Sequence, residues 1–280
     1  DAGVAGALHV VDLIGGAEIS HRADELVVPA SVFKLPVLLE LCRQHAAGEI
    51  DASALVTVPV TDRAPGPFGV SIMKDPITAS LRDLAWLMMG ISDNAATDVL
   101  CAHVGLDMVQ KHLSRLGLTQ TRIDGDCRDL FRTVREDLDG DMSMFMKPTP
   151  EMLEKLRVLD PARGLHATTP REMTTLLRLI WNDEAGPADA CEETRRILGQ
   201  QVWPHRLASG FSDVDEVTTS GKTGTLPTLR NEVGVVEYPD GGRYAVAVFT
   251  RSSSLAQKHP AADAVIGGAA RLAVDALRGA

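Results

Sequence analysis

The run "PASVFKLPVLLELCRQ" places Ser31 three residues before Lys34, at the head of an apolar stretch. On a helix that spacing puts a hydroxyl and an amine one turn apart on the same face. An ammonium taken out of water is unfavourable unless it is paired or gives up its proton. A lysine desolvated near other cations can accept the proton of a neighbouring serine, which activates the hydroxyl toward an acyl carbon. The positive end of the helix would help hold the resulting oxyanion. A second Ser-x-x-Lys, "SIMK" at 71–74, runs into Asp75-Pro76, which disfavours a continuing helix. It reads as a loop.

Two further stretches carry the same types of group. "ISDNAATD" at 91–98 is a good helix start, with Ser92 or Asp93 as N-cap. "SGKTGTLP" at 220–227 reads as the glycine-punctuated end of a strand. There Lys222 and Thr223, beside a backbone bared by Gly224, could bind the carboxylate and carbonyl of an acyl substrate.

Ser-x-x-Lys, Ser-Asp-Asn and Lys-Thr-Gly, in this order, form the set shared by class A β-lactamases and penicillin-binding proteins. The chain resembles that superfamily, and most closely the class A-like serine hydrolases. "HRADELVVPASVFKLPVLLEL", "TASLRDLAWLMMGISDNAATDVL", "TTPREMTTLL" and "GKTGTLPTLRNEVGVV" follow family order over nearly the whole length. The resemblance implies that Ser31 attacks an acyl carbonyl and that Lys34 is the base, directly or through water. It implies that Ser92 relays a proton to the leaving nitrogen and that Asn94 binds the substrate's side-chain amide and Lys34. Lys222 and Thr223 would hold a carboxylate, and the N–H groups of Ser31 and Thr225 would form the oxyanion hole. Arg230 stands near the place of a family carboxylate-binding arginine; an exposed strand arginine is the alternative.

The pattern breaks in one place. Class A enzymes carry a glutamate, in a loop after Ser-Asp-Asn, that activates the deacylating water. The matching stretch here is "TRIDGDCRDLF". Cys127 takes the glutamate's place and Phe131 that of a family asparagine. Asp126 and Asp129 are adjacent and could substitute only in a rearranged loop. The segment from Thr121 to Pro170 is also longer than the family loop, and its Met and Phe residues read either as a lid over the site or as an added surface subdomain. The class A disulfide positions are not cysteines.

The elements around these motifs have a clear order. "GALHVVDLIGGAEISHRADELVV" alternates apolar and polar residues about Gly15-Gly16 and predicts a β-hairpin. A long helix is predicted from Ser31 to a stop at Gly48, with Pro36 in its second turn. Ser80 with Asp83, and Thr169 with Pro170 and Glu172, are helix starts. Gly105 and Gly117 are stops. After about residue 215 the period becomes two and predicts three antiparallel strands, then a small-residue helix. The expected fold is α/β (α+β) and β-lactamase/transpeptidase-like: an antiparallel sheet from 1–30 and 200–280, flanked by helices. Residues 31–199 would form an inserted all-helical domain with an extended loop at about 121–168.

Bulk properties narrow the classes. The 280 residues are 45% hydrophobic and 24% charged, as in an ordinary globule. A net charge of −10 and a pI near 5.3 argue against nucleic acid as the main partner. No apolar run has the length of a membrane span, and the opening residues lack a basic signal region. The first residue, Asp, reads as the start of a trimmed or processed chain. Cys42, Cys101, Cys127 and Cys191 show no metal or redox spacing, and unpaired thiols fit a cytoplasmic location. No His-Glu-x-x-His cluster or phosphate loop is present, so no metal or organic cofactor is expected. A monomer acting on a small-molecule acyl substrate is expected. The complete motif set favours a serine hydrolase or acyltransferase working through acyl-Ser31 on an amide, ester or β-lactam-like substrate. The missing glutamate favours the alternatives: an acylated sensor, or a penicillin-binding-type peptidase with slow or no deacylation.

Overall fold

The computed structural model describes residues 3–61, 63–146 and 148–279. Strands β1 (Val4–Asp12) and β2 (Glu18–His21) form the first hairpin, and a 3-10 turn over Ala30–Phe33 leads into α1 (Lys34–Ala46). β3 (Leu55–Val58) and β4 (Ile77–Ser80) pair as a small ribbon ahead of α2 (Leu81–Gly90), α3 (Asn94–Val104) and α4 (Leu106–Arg115). β5 (Arg122–Ile123) opens the long segment, which carries α5 (Cys127–Asp137), α6 (Ser143–Met146) and α7 (Pro150–Lys155) and closes on β6 (His166–Ala167). α8 (Pro170–Trp181) and α9 (Ala188–Leu198) precede β7 (Thr218–Leu226), β8 (Leu229–Glu237), β9 (Arg243–Ser252) and α10 (Pro260–Arg278).

The expected architecture is present: a five-stranded sheet in the order β2-β1-β9-β8-β7, with antiparallel neighbours and helices on both faces. On one face Val10, Val246 and Val248 pack on Ile266, Ala270 and Val274 of α10. On the other, Val233, Val235 and Ala245 share a core with Leu38 of α1, Leu100 of α3 and Leu176 of α8. The helical part is therefore joined to the sheet by one apolar core. It is not all-helical, since it carries the two short ribbons β3–β4 and β5–β6.

Caps fall where side-chain chemistry directs them. Ser80, Asp93 and Thr169 accept from backbone N–H groups at the starts of α2, α3 and α8. One start differs from expectation. The α-helix begins at Lys34, not Ser31, and Ser31 lies in the 3-10 turn. Pro36 is then the third residue of α1, where its missing N–H is harmless. In a helix begun at Ser31 it would remove the bond to Val32 and clash there.

Glu40 of α1 is fully buried, within 2.8 Å of Arg43 Nη2 and His112 Nδ1 and 2.7 Å from Gln44 Nε2. Burial alone would raise its pKa, but hydrogen bonds with His112, Arg43 and Gln44 hold it at about 2, against an ordinary 4.5. A depressed carboxyl stabilises the fold above its unfolded pKa, and this stability is lost as pH falls from about 4.5 toward 2. The contribution is on the order of 3 kcal/mol. Thermal melts from pH 2 to 7 are expected to show a steep acid limb that Glu40→Gln flattens.

Candidate active site

Two strand features press the Ser31 turn into position. Gly224 on β7 lies so close to Pro29 that a Cβ would come within 2.4 Å of the Pro29 carbonyl oxygen. Asn231 on β8 donates to the carbonyls of Val28 and Pro29 at 2.9 and 3.2 Å. Ala30, just before the serine, is forced to φ +50°. Left-handed backbone at a residue with a Cβ persists only where the surroundings impose it.

Lys34 is the first residue of α1, one turn on, and its exposure is 0%. Its Nζ donates to the Ser92 carbonyl at 2.8 Å, to Ser92 Oγ at 3.2 Å and to Asn94 Oδ1 at 2.8 Å. Burial lowers its pKa; the acidic neighbours Asp93 and Asp98 only partly oppose this. Ser92 can face the lysine because it too is left-handed, at φ +62°. Asp93 fixes that loop by capping α3 and by accepting from the Val70 N–H at 2.5 Å. Gly69 is required there, since a Cβ would meet Asp93 Oδ2 at 2.1 Å. The second Ser-x-x-Lys is indeed not an α-helix. Its Ser71 donates to Asp93 and accepts from the Ala95 N–H, so it buttresses the Ser-Asp-Asn turn.

β7 closes the other wall. Lys222 is fully buried and donates to the Thr223 carbonyl at 2.9 Å; burial, then the charge of Lys34, pushes its pKa well down. Gln201 accepts from the Thr223 N–H at 2.7 Å and donates to buried Glu232 at 2.6 Å, which occupies an N–H at the open edge of the sheet. Arg206, 3% exposed, donates to Thr225 Oγ1, Gly224 O, Asn231 O and Asp263 Oδ1. Arg230 is 6% exposed, so it is not a solvated strand arginine. It donates to the carbonyls of Leu226, Leu229 and Gln257, and its Nε lies 3.7 Å from Asp263.

These walls enclose a cavity of about 430 Å³. Ser31, Ser92, Asn94, Thr223, Thr225 and Arg230 all line it, and Lys34 and Lys222 lie behind its surface. Cys127 lines it too, 3% exposed, with Sγ 3.5 Å from Asn94 Oδ1. Burial, reinforced by Asp98 and Asp126, pushes its thiol up to about 12, so it is protonated at neutral pH. Asp126 and Asp129 are directed elsewhere. They form a capping box on the first turn of α5, with further contacts to Arg128 and Arg132, and neither lines the cavity. Among the described residues no Asp or Glu lines the cavity. Among the described residues there is also no group of three or more His, Cys, Asp or Glu placed to hold a metal ion, and no helix long and apolar enough to cross a membrane.

The sequence model of the Beta-lactamase enzyme family matches residues 1–277. The chain belongs to that family. A beta-lactamase regulatory protein, BlaB, of Streptomyces cacaoi is 30% identical over 99% of this chain and 94% of its own. A beta-lactamase of Streptomyces albus G is 25% identical over 96% of this chain and 79% of its own. Among solved structures, a beta-lactamase of Sphaerobacter thermophilus superposes with a TM-score of 0.79 at 24% identity, covering 98% of this chain and 91% of that one. PBP-A superposes equally, at 0.79 and 20% identity, covering 100% and 92%.

Within this beta-lactamase fold, several side chains at the site carry no motif signal. Arg206 and Gln201 come from an irregular stretch after α9 and reach β7 only through the fold. Asp98 was legible in principle, being four residues after Asn94 on the same face of α3. It is buried and accepts from the N–H groups of Cys127 at 2.7 Å and Arg128 at 3.2 Å, so it seats the start of α5 against the cavity. Burial and the charge of Asp126 raise its pKa to about 7. A carboxyl raised in the folded state destabilises the fold as pH rises from its ordinary value toward the folded one. Asp98→Asn keeps an acceptor for Cys127 and is expected to raise the melting temperature at pH 8 more than at pH 5.

Proposed function

We propose that this protein recognises β-lactam-type acyl compounds, is acylated on Ser31, and holds the acyl group far longer than a hydrolytic β-lactamase does. Ser31 Oγ bonds to the carbonyl carbon while its proton passes toward Lys34, whose depressed pKa makes a neutral amine accessible. The carbonyl oxygen takes the negative charge and is met by the N–H groups of Ser31 and Thr225. The carbon–nitrogen bond then breaks, and the nitrogen receives a proton through Ser92, whose hydroxyl lies 3.2 Å from Lys34 Nζ. The carboxylate of the compound fits the Thr223, Thr225 and Arg230 side.

The observation that carries the slow second half is the cavity wall at Cys127. Water must lose a proton to attack an acyl-serine ester, and a thiol pushed up to about 12 accepts none. The Streptomyces cacaoi relative is named a beta-lactamase regulatory protein, which agrees with a sensor role. Intact mass spectrometry over time, with a reporter cephalosporin and separately a p-nitrophenyl ester, tests this. A stoichiometric adduct on Ser31 that persists is expected. Steady product release without an accumulating adduct would overturn the reading in favour of a working hydrolase.

A further inference from the structure

β7 is the last strand in the sheet order, so its outer edge carries backbone groups that β8 does not use. At Thr223 both are taken. The N–H donates to Gln201 Oε1 at 2.7 Å, and the carbonyl accepts from Lys222 Nζ at 2.9 Å. Gln201 is itself held. Its Nε2 donates at 2.6 Å to Oε1 of Glu232, which stands opposite Thr223 on β8 and is 2% exposed. The other oxygen of Glu232 accepts from the Leu207 N–H at 2.6 Å. One buried carboxyl group thus pins both ends of the stretch from Gln201 to Leu207, which brings Trp203, His205 and Arg206 to the cavity. Nearer the start of the strand the end of α9 packs against it: a Cβ on Gly199 would stand 3.3 Å from Ser220 Oγ. Hydrogen-bonding direction alternates along a strand, so the next outward N–H and carbonyl belong to Thr225, which lines the cavity.

We propose that Gln201, held by Glu232, is a specificity-determining clamp: it closes the edge of β7 at Thr223, so that a ligand attached to Ser31 pairs with the strand at Thr225 alone. This rests on the acyl-Ser31 reading. An extended chain joins a sheet edge through successive outward N–H and carbonyl groups. To run on past Thr225 it would have to displace Gln201 from the Thr223 N–H and Lys222 from the Thr223 carbonyl. Buried Glu232 would then lose its Gln201 donor, and a buried acceptor left without a partner is unfavourable. The site therefore takes compact acyl compounds whose leaving part ends beside Thr223, and turns away a polypeptide that continues beyond it. Neither Gln201 nor Glu232 belongs to the three motifs. They act by positioning the strand edge and not by touching the reacting atoms.

The test uses two thiolesters with the same hippuryl acyl group and one negative charge each. In one the leaving part is thioglycolate, which ends at its carboxylate; in the other it continues as thioglycolyl-glycylglycine. The readout is the second-order rate of adduct formation on Ser31, followed by mass spectrometry. In wild type the short compound is expected to react at least about tenfold faster. Gln201→Met frees the Thr223 N–H and keeps the length of the side chain, and should cut that ratio by about three- to tenfold, the range of one hydrogen bond. Gln201→Ala is the second variant and should read the same. Both compounds deliver one acyl group to one serine, so a general loss of structure slows both and leaves the ratio. A wild-type ratio near one, or a ratio unchanged in both variants, overturns the proposal. If neither compound forms an adduct, the acyl-Ser31 reading fails instead. The clamp is then read by calorimetric binding of hippurylglycine and hippuryltriglycine. Tighter binding of the longer peptide relative to the shorter in Gln201→Met supports it, and an unchanged relative affinity overturns it.

Discussion

Replacing Ser31 with alanine is expected to abolish covalent labelling by any β-lactam, and replacing Lys34 with methionine to slow labelling by about 10²- to 10⁴-fold, the range of a positioned general base. The two variants separate the roles. On the proposed mechanism Ser31 bears the bond itself, so no adduct mass should appear at any time or concentration. On the same mechanism Lys34 moves the proton, so its variant should still label, slowly, and more so as pH rises and solvent hydroxide replaces the amine. Stability should move differently from reactivity. Lys34 is wholly buried and its charged form is disfavoured by desolvation. An apolar chain of similar length removes that penalty, though it leaves the Ser92 carbonyl and Asn94 Oδ1 short of one donor. The melting temperature of Lys34→Met should therefore stay within a few degrees of wild type. A collapse in melting temperature together with labelling would mean that the lysine is structural. Full labelling rates in Lys34→Met would mean that the proton goes elsewhere.

The second large effect concerns the other half of the cycle. Cys127→Glu is expected to shorten the lifetime of the acyl-Ser31 adduct by about 10²-fold or more, because it adds a carboxylate beside Asn94 to a wall whose described lining residues include no Asp or Glu. The cysteine contacts Asn94 Oδ1, and its own N–H is seated on Asp98, so the backbone already points this position at the site. The larger side chain is an overpacking substitution that costs about 1–3 kcal/mol, and a glutamate beside Asp98 and Asp126 is repelled. Cys127→Gln carries the same volume without the base. Adduct decay followed by mass spectrometry should accelerate in Cys127→Glu and not in Cys127→Gln. Equal decay in both would show that a bound water is not in reach of this position, and that persistence has another cause.

Much of this was legible in the residues. Ser31, Lys34, Ser92, Asn94, Lys222 and Thr223 come from three short motifs whose local spacing already fixes which side chains share a turn or a strand. The helix caps at Ser80, Asp93 and Thr169, the stop at Gly105 and the strands after residue 215 follow from local chemistry too, because a cap or a period of two acts within a few residues. The break in the pattern at Cys127 was equally visible. Only the fold could decide the rest. Ser31 sits in a 3-10 turn because Gly224 and Asn231, about 200 residues later, press on Pro29. Asp126 and Asp129 turn to backbone N–H groups of α5, so neither lines the cavity that Ser31 lines. Arg230 is buried because Asp263 and the Gln257 carbonyl arrive from the segment after β9. Arg206 meets Thr225 for the same kind of reason. The sequence by itself determined the family, the motif residues that line or back the cavity and the missing carboxylate, since these depend on residue type at short range. The tertiary structure decided which segments meet around the cavity and which charges reach it, since these depend on contacts between segments that no local spacing encodes.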